Sequence, residues 1–336
     1  MTLATTAFSA DVLRIDAAEV SAGIECDIRD IVRRRLKRNG VVVAISGGID
    51  SSVVAALCVK ALGTARVLGL MLPEAESSPD SLHFANLLAQ SLGIRTYLED
   101  ITGILSAAGC YQRRDDAIRK VIPEYTEGYK CKLVLPDRVT GSAYPIFSVV
   151  VQSPLGKRTK ARLTLDSFLG VVAATNFKQR TRKMMEYYYA DRFNYAVAGT
   201  PNRLEFDQGF FVKNGDGAAD FKPIAHLYKT QVYQLAACLG IPEEIQKRPP
   251  TTDTYPLDQS QEEFYFPLPY DRMDLCLYAR NHGVPPAEVA PVVGLTAEQV
   301  SRVFSVIQST RNATRYLHCP SVLCEMVPEL PRDVRD

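Results

Sequence analysis

The chain has 336 residues, of which 46% are hydrophobic, enough for a substantial core in one large α/β domain or in two domains. Its formal net charge is +1, which excludes a broad basic surface for nucleic acid or for an acidic membrane. The eight cysteines form no CxxC pair and the four histidines have no paired ligand spacing, which argues against a disulfide framework and a zinc site. No signal-peptide pattern or membrane span is recognisable, so a reduced cytoplasmic location is expected.

The first predicted elements are a helix and a strand. Residues 11–38 place apolar residues at helical spacing and end in the basic run RRRLKRNG, which predicts a helix with Gly40 as its cap. Residues 41–45 are apolar and mostly β-branched, which is typical of a buried strand. The turn SGGIDSS and a second helical pattern follow at once, so the sequence predicts a strand, a phosphate loop and a helix in succession.

The turn SGGIDSS has the composition of a polyphosphate site. Gly47 and Gly48 permit positive φ and carry no Cβ, so successive backbone N–H groups can face one concavity. Serine hydroxyl groups add donors, and the positive end of the following helix points to the same place. Asp50 would be unfavourable beside phosphates unless a divalent cation lay between them. The alternative is an ordinary glycine-rich turn that caps a helix.

Strands and helices continue to alternate after this loop. Strands are predicted at 65–73 and 94–101, with a helix at 77–93 that begins at Ser78 or Pro79. Three strands that alternate with helices predict an α/β fold with a doubly wound parallel sheet.

The alternation breaks at residues 109–165. Two β-rich pieces with turn signals at PDRVTG and SPLGK predict one or two antiparallel hairpins inserted into the sheet protein. The charged segment YQRRDDAIRKVIPEYTEG before them predicts an exposed helix or loop. The insertion contains the cationic hairpin SPLGKRTKAR, which suits an anionic ligand or plain solvent exposure.

Helical periodicity returns at 167–192 and is followed by a short strand at 194–200. That strand brings Thr200 to the carboxyl edge of the sheet, where ligands of open α/β sheets bind. Short helices are expected again in a C-terminal appendage at 271–336. The predicted organisation is one catalytic domain over 1–336 that carries the β-rich insertion and the helical appendage.

The phosphate loop distinguishes between classes of nucleotide-binding protein. It lacks the Lys-Ser/Thr ending of the Walker type and is not GxGxxG. It resembles the SGGxDS loop of the ATP pyrophosphatases, which split ATP between its α and β phosphates. The fold implied by this resemblance is that of the adenine nucleotide alpha hydrolases, which is Rossmann-like.

Four later segments stand in an order that resembles ammonia-dependent NAD synthetases. The helix NFKQRTR resembles the N-x-x-x-R-x-R pattern of that family, and GTPNRLE resembles its GT-x-N-x-x-E loop. The stretch GFFVKNGDGAADFKPIAHLYKTQV matches the segment that holds G-D and P-x-x-x-L-x-K. The segment PPTTDTYPLDQSQEEFYFPLPYDRMD follows the pattern of Pro, spaced polar residues, paired acids and Tyr-x-x-x-Asp. The resemblance covers about three quarters of the chain.

This resemblance implies a two-step ligase reaction with ATP and Mg²⁺. A carboxylate, in this family that of nicotinic acid adenine dinucleotide, attacks the α-phosphate of ATP and releases pyrophosphate. Ammonia then displaces AMP from the acyl-adenylate to give the amide. The chain offers no additional nitrilase-like portion, so free ammonia or a separate donor protein is expected as the nitrogen source.

The resemblance also assigns roles to residues of this sequence. Catalytic roles fall on Asp50, Lys213, Lys229 and Asp216. Contacts with ATP are expected from Ser46, Gly47, Gly48, Ile49, Asp50, Ser51, Ser52, Thr200 and Lys229. Asp50 and Glu205 would hold Mg²⁺, and the carboxylate acceptor would meet Asn176, Arg180, Arg182, Lys213 and Asp220. The two lysines would neutralise charge on the transferring and leaving phosphates.

Several of these residues also fit structural roles. Glu205, Lys213 and Lys229 can be ordinary surface charges, and Arg180 and Arg182 can be solvated cations. Asp216 and Asp220 can cap turns. Likewise, the run Tyr187, Tyr188, Tyr189 suits packing better than base stacking.

Three functions remain open at the level of the sequence. The first is NAD synthetase, and the second is the same chemistry on another carboxylic acid, with residues 109–165 shaping the acceptor site and taking no part in ATP chemistry. The third is a catalytically inactive nucleotide-binding regulator. The expected partners are ATP, a carboxylate acceptor and ammonia, without nucleic acid or membrane. The helix MMEYYYADRF and the family resemblance also predict a homodimer.

Overall fold

The computed structural model of the protein describes residues 8–134, 147–249, 254–257, 265–325 and 329. In these residues the strands are β1 (Val41–Ala44), β2 (Val67–Met71), β3 (Arg95–Leu98), β4 (Lys130–Val134), β5 (Ser148–Gln152), β6 (Arg158–Arg162) and β7 (Ala196–Ala198). The α-helices up to residue 247 are α1 (Ala17–Asp30), α2 (Ile49–Leu62), α3 (Pro79–Leu92), α4 (Thr102–Ala107), α5 (Cys110–Arg119), α6 (Leu165–Phe193), α7 (Arg203–Gln208), α8 (Lys229–Cys238) and α9 (Glu243–Lys247).

A parallel four-stranded sheet forms the centre of the molecule, with strand order β3-β2-β1-β7. Val42 on β1 lies opposite Leu68 on β2 and Val197 on β7. These three side chains are buried, as expected for a parallel strand covered by helices on both faces. The predicted α/β fold with a parallel sheet is therefore confirmed, and the helix after β2 begins at Pro79 with Ser78 as its cap.

The N-terminal segment differs from the single helix predicted for residues 11–38. It forms a 3₁₀ turn, then α1 with Asp16 as its cap, and then a π-helical turn at Ile31–Arg35. The helix ends at Leu36, so Gly40 is not its cap. Gly40 instead packs closely at the amino end of the sheet, where a Cβ would lie 2.4 Å from the carbonyl oxygen of Arg66.

The long helix α6 extends beyond the carboxyl edge of the sheet. It ends at Asn194, whose φ of +53° turns the chain directly into β7, so helix and strand run in opposite directions. The Arg182 guanidinium donates to the carbonyl of Leu72, which directly follows β2, with an N–O distance of 3.2 Å. Residues before Arg182 therefore project past the sheet, over about 25 Å of helix.

The insertion packs against this projecting half of α6. Its strands form an antiparallel sheet of order β4-β5-β6, and the β5–β6 turn at SPLGK contains Gly156 with a φ of +82°. The prediction of antiparallel hairpins is confirmed, whereas the turn signal PDRVTG lies outside the described residues. The charged segment is a helix, α5, but it is not simply exposed, since Arg114 and Ile118 are buried against α6.

The C-terminal helices are Tyr270–Asn281, Pro286–Val293 and Ala297–His318. They share a hydrophobic core with Leu204 of α7 and with Leu13 near the N-terminus. None of the helices in the described part of the chain is long and apolar enough to cross a membrane.

Candidate active site

A cavity of about 560 Å³ lies at the carboxyl edge of the parallel sheet and continues along α6. Its floor is formed by the ends of β1 and β2 and by the start of α2. One wall is α6, from Phe168 to Glu186, and the opposite walls come from the loop at 209–216 and from the end of the C-terminal helix. The position is the one at which parallel sheets bind their ligands.

The phosphate loop at residues 46–48 connects β1 to α2. Gly47 adopts a φ of +74°, and a Cβ there would lie 2.5 Å from the carbonyl oxygen of Ser81. Glycine is therefore required both for the turn and for the approach of α3. Gly48 is extended, with a φ of −90°, and caps α2, so only the first glycine uses a positive φ.

The serines of the loop do not all face the cavity. Ser46 and Ser51 line it, whereas Ser52 is buried and its hydroxyl donates to the carbonyl of Gly48 at 2.8 Å. Ser51 donates to the same carbonyl at 3.0 Å. The direct phosphate contact expected from Ser52 is therefore not supported by the geometry, because its hydroxyl stabilises the loop instead. Gly47 likewise shapes the loop without lining the cavity.

Asp50, Lys229 and Glu205 meet at the floor of the cavity. The Lys229 ammonium donates to the carboxylate of Asp50, and the side-chain amide of Asn202 donates to the same carboxylate at 3.1 Å. Glu205 accepts a hydrogen bond from the backbone N–H of Asn202 at 3.2 Å, as part of the capping box that begins α7. Three sequence segments thus bring two acids and one buried lysine to the same point, where Asn202 binds both acids and Lys229 binds Asp50.

The electrostatics of this cluster are strongly perturbed. Burial and the neighbouring Asp50 carboxylate raise the pKa of Glu205 to about 8, against the opposing effect of Lys229. Burial alone would lower the pKa of Lys229, but the carboxylates of Asp50 and Glu205 outweigh it and raise that pKa. The lysine is therefore charged, whereas burial and the Asp50 carboxylate disfavour the ionised form of Glu205.

The acid pair fits a magnesium ion. The described residues contain no group of three or more His, Cys, Asp or Glu side chains that could hold a metal alone. Mg²⁺ is commonly bound by one or two carboxylates together with substrate phosphates and water. A cation beside Asp50 and Glu205 would also relieve the repulsion that raises the pKa of Glu205.

Asp274 binds the first turn of α8, which carries Lys229. One of its carboxylate oxygens accepts from the backbone N–H of Thr230 at 2.8 Å and from the Thr230 hydroxyl at 3.0 Å. Asp274 is fully buried, and burial raises its pKa to about 7. It holds the first turn of α8, at which Lys229 is the first residue. The acid belongs to the Tyr-x-x-x-Asp pattern in the sequence, but that pattern does not reveal what it contacts.

The remaining catalytic candidates line the cavity but are engaged with the protein. The Lys213 ammonium donates to the carbonyl oxygens of Tyr316 at 2.7 Å and of Cys319 at 3.0 Å, at the end of the C-terminal helix. Asp216 accepts from the backbone N–H of Val212 at 2.7 Å, and burial raises its pKa. Thr200 also lines the cavity, as the position of β7 leads one to expect.

The predicted acceptor residues divide into two groups. Asn176, Arg180 and Arg182 line the cavity from α6. Asp220 lies outside the lining: its carboxylate accepts from the backbone N–H of Val197 at 2.7 Å and from the Tyr187 hydroxyl at 3.2 Å. It joins β7 to α6, so the expected contact between Asp220 and an acceptor finds no geometric support.

Two cavity residues were not identified from the sequence. Lys178 is buried on α6 and donates to Glu74 at 2.8 Å, to Glu76 at 2.7 Å and to the carbonyl of Thr254 at 2.9 Å. Arg248 donates to the carbonyl of Gly47 at 3.2 Å and so braces the phosphate loop. Lys178 lies inside the NFKQRTR pattern, whereas nothing in the sequence around Arg248 indicates its role.

Comparison with known proteins supports a single family. A model of the NAD synthase family matches residues 21–122 and 155–315, which leaves residues 123–154 of the insertion unmatched. An NH(3)-dependent NAD(+) synthetase of Rhizobium rhizogenes is 55% identical over 322 residues, which cover 96% of this chain and 97% of that protein. A protein of the same name from Methanocaldococcus jannaschii is 33% identical over 274 residues, or 82% of this chain and 86% of that protein.

Solved structures show the same fold. An NH3-dependent NAD synthetase from Campylobacter jejuni, in complex with the nitrate ion, aligns with a TM-score of 0.60 at 23% identity over 92% of this chain and 100% of that chain. An NMN synthetase from Francisella tularensis aligns with a TM-score of 0.58 at 22% identity over 93% of this chain and 100% of that chain.

Proposed function

Because this chain belongs to the NAD synthase family and is an ATP-dependent, amide-forming ligase, we propose that it converts nicotinic acid adenine dinucleotide to NAD⁺ with ammonia. The observation that carries the proposal is the cluster of Asp50, Glu205 and Lys229 beside the phosphate loop. The adjoining cavity has room for a second substrate along α6. We propose further that residues 1–336 act as one catalytic unit.

The first chemical step is the attack of the acceptor carboxylate on the α-phosphate of ATP. The phosphates lie against the turn at Ser46 and the N-terminus of α2, where the backbone N–H groups and the helix dipole favour negative charge. The ammonium of Lys229 faces the same point and stabilises the charge that develops as pyrophosphate leaves. Ammonia then attacks the acyl carbon of the adenylate, and AMP leaves with the bond electrons.

Magnesium would be held by Asp50 and Glu205, where it would withdraw charge from the reacting phosphate. Asn202 orients both acids, because its side chain donates to Asp50 and its backbone N–H donates to Glu205. Asp274 holds the first turn of α8 and thereby fixes the position of Lys229. The residues of the chain thus bind, orient and neutralise, which is the usual protein contribution to nucleotidyl transfer.

The experiment that tests the proposal measures AMP, pyrophosphate and NAD⁺ from purified protein, ATP, Mg²⁺ and nicotinic acid adenine dinucleotide. Ammonium should support turnover, whereas glutamine alone should not, because ammonia is the proposed nitrogen donor. Equal formation of AMP and NAD⁺ is expected. Efficient use of glutamine by the isolated chain would refute the nitrogen assignment, and absence of NAD⁺ would refute the proposed acceptor.

The second candidate is the same chemistry on a different carboxylic acid. It is favoured by one observation, which is that the insertion contributes Leu133 and Phe147 to the cavity lining. A panel of carboxylic acids, with pyrophosphate release as the readout, would distinguish the two acceptors. A regulator without activity is disfavoured by the connected cluster of Asp50, Glu205 and Lys229.

We also propose that the chain acts as a homodimer through α6. Leu165, Leu169, Met184 and Tyr188 of this helix are at least half exposed, which is costly for so many apolar side chains on one element. Light scattering should give twice the mass of the chain, and Leu169→Glu together with Met184→Glu should yield the monomer. A wild-type monomer at micromolar concentration would refute the dimer.

A cytoplasmic location is proposed on the cysteine chemistry. All eight cysteines are free thiols, and four of them are buried in the core. Such use of cysteine is typical of a reducing compartment.

A further inference from the structure

The inserted sheet β4-β5-β6 has one face in the protein core and one face toward solvent. Cys131, Leu133, Val149 and Val151 are buried on the inner face, in one core with residues of α5 and α6. Side chains alternate between the two faces of a strand, so the residues between these four point outward. In the described strands the outward face carries no acid, and its cations are Lys130, Lys132, Arg158, Lys160 and Arg162.

Strand β6 is an edge of this sheet. It pairs with β5 on one side and with no second strand in the described part of the chain. The backbone N–H of Leu163 donates to the carbonyl of Phe147 at 3.0 Å. Hydrogen-bonded positions alternate along an antiparallel pair, so the odd-numbered residues of β6 bind β5. The N–H and C=O groups of Arg158, Lys160 and Arg162 therefore point to the open edge.

The side chains of the same residues carry charge that no acid balances. All of them are exposed, and within the described residues Arg158, Lys160 and Arg162 form no ion pair. Arg158 donates to the side-chain oxygen of Gln152 at 3.0 Å, which is a neutral group. Cations at every second position of an edge repel a second copy of the same strand, since like charges would lie opposite each other. The edge is thus closed to self-pairing and open to a strand of opposite charge.

The inner side of this edge favours apolar neighbours. Thr159 and Ala161 alternate with the cations and are partly buried on the core side of the sheet. Ala161 packs against the core that the inserted sheet shares with α6. Apolar side chains of an added strand would lie beside these two residues and extend that core. A strand that suits both sides therefore alternates acidic and apolar residues.

We propose that the edge of β6 binds an extended acidic segment of another protein by strand addition. The added strand runs antiparallel to β6, as β5 does, and places an acid opposite each of Arg158, Lys160 and Arg162. Backbone hydrogen bonds supply the affinity, and the alternating side chains supply the specificity. Strands β4 and β5, which build the sheet that presents this edge, lie within residues 123–154, which the family model leaves unmatched.

The first test measures fluorescence anisotropy of a labelled peptide that alternates glutamate with valine, mixed with the full chain at physiological salt. Reversing all three charges, with Arg158→Glu, Lys160→Glu and Arg162→Glu, should raise the Kd by about tenfold or more, because attractive cross-strand pairs become repulsive. The same variant should bind a peptide that alternates lysine with valine. Such a gain would also show that the variant is folded.

The matched control is Lys130→Glu. Lys130 lies on the same outward face, in the row of Gln152 and Arg158, but on β4, about 10 Å from β6. This distance exceeds the screening length at physiological salt, so the Kd of the glutamate peptide should stay within about twofold of the parent. A glutamate peptide whose glutamate amides are N-methylated keeps the charge without the backbone donors, and it should bind at least about tenfold more weakly.

Hydrogen exchange of single amides distinguishes strand addition from adsorption of charge. In the free protein the amides of Thr159 and Ala161 should exchange slowly, because they are bound to β5, whereas those of Arg158, Lys160 and Arg162 should exchange fast. The glutamate peptide should slow the fast group. Single-stranded RNA and vesicles of phosphatidylserine, which have no peptide backbone, should leave it fast.

Protection of the outward amides, together with weaker binding after charge reversal, supports strand addition. Equal weakening by Lys130→Glu, or equal binding of the N-methylated peptide, would overturn it in favour of a diffuse cationic face. Tighter binding of RNA or vesicles than of the peptide would likewise overturn it, as would the absence of peptide binding at millimolar concentration. None of these measurements uses NAD⁺ formation, so the docking surface and the proposed function can fail separately.

Discussion

The two ends of the cavity were encoded in the sequence in different ways. At the sheet edge, the phosphate loop and Asp50 lie within seven consecutive residues, so their chemistry is visible in the local pattern. At the far end, Phe147 and Phe168 come from different elements and meet only because the inserted sheet packs on α6. The residues proposed to carry the reaction are thus visible in local spacing, whereas the contact between the two rings is visible only in tertiary packing.

The largest effect is expected at the locally encoded end. Asp50→Asn should lower the rate of pyrophosphate formation by roughly a thousandfold, because an amide cannot supply the charge that is proposed to hold Mg²⁺ and that pairs with Lys229. The circular dichroism spectrum should stay unchanged. Steady-state kinetics at saturating substrates check the rate.

Glu205→Gln should behave like Asp50→Asn, since the two acids are proposed to hold the same ion. Glu244→Gln on the exposed face of α9 is the matched control and should retain parental activity. Turnover of Asp50→Asn near the parental rate would break the comparison, because the motif would then not carry the chemistry.

Much of the parallel sheet could be predicted from the sequence because each strand is a short apolar run bounded by turns. The position of Thr200 at the sheet edge followed from the same pattern. The hydrogen-bond partners of Ser52 and Asp220 could not be predicted, because a hydroxyl or a carboxylate can face the ligand or the backbone from the same position. In both cases the backbone provides the hydrogen-bond partner.

Residues that act through long-range contacts were not identified at all. Lys178 reaches Glu74, which is 104 positions away, and Arg248 reaches Gly47, which is 201 positions away. A single sequence gives no sign of such pairs, since each residue alone resembles a surface charge. Their burial depends on how α6 and the segment after α9 pack over the sheet edge.

The second prediction concerns the ion pairs of Lys178 with Glu74 and Glu76, which lie between the two ends of the cavity. Lys178→Met should lower the free energy of unfolding by about 3 kcal/mol, because it leaves the buried Glu74 and the partly buried Glu76 beside each other without this counterion. Lys247→Met removes an exposed pair with Glu243 and should cost less than about 1 kcal/mol. Urea unfolding of both variants measures the difference.

Equal losses of unfolding free energy in Lys178→Met and Lys247→Met would show that the ion pairs of Lys178 stabilise the cavity no more than an exposed ion pair does. A deletion of residues 109–165 would be uninformative about the insertion alone. That deletion would remove α5, whose Arg114 forms an ion pair with Glu76 and packs against α6. Point variants therefore test the insertion without exposing the core of α6.

The third prediction asks whether Lys213 acts on the substrates or holds the end of the C-terminal helix against the cavity. Lys213→Met should lower kcat/KM by about tenfold, because it removes a positive charge from the cavity wall. It should also speed hydrogen exchange near Tyr316, whose carbonyl the lysine binds. Lys60→Met on the exposed side of α2 is the control. Faster exchange with unchanged kinetics would show that Lys213 only holds the C-terminal helix in place.

The smallest effect on activity is expected at Asp274, which supports the phosphate end of the cavity and whose contacts are visible only in the packed structure. Its pKa in the folded protein, about 7, lies above the ordinary value for an aspartate, so the folded state holds this proton more tightly than the unfolded state. The stability contributed by this group is therefore present at low pH and is lost as the pH rises from about 4 to about 7. The slope approaches, at most, about 1.4 kcal/mol per pH unit.

Asp274→Asn should remove that slope while its amide oxygen still accepts from the N–H of Thr230, so kcat should stay within about twofold of the parent. Asp271→Asn, on the same helix but exposed, should leave the pH profile of unfolding unchanged. Urea unfolding between pH 4.5 and 7.5, roughly the range over which the group titrates, measures both profiles. If the two variants gave the same profile, the titration of Asp274 would not be the cause of the pH dependence of stability. If Asp274→Asn lost activity as severely as Asp50→Asn, the Asp274 carboxylate would take part in the reaction in addition to holding the first turn of α8. Residues that only the packing reveals would then contribute to catalysis as well as to structure.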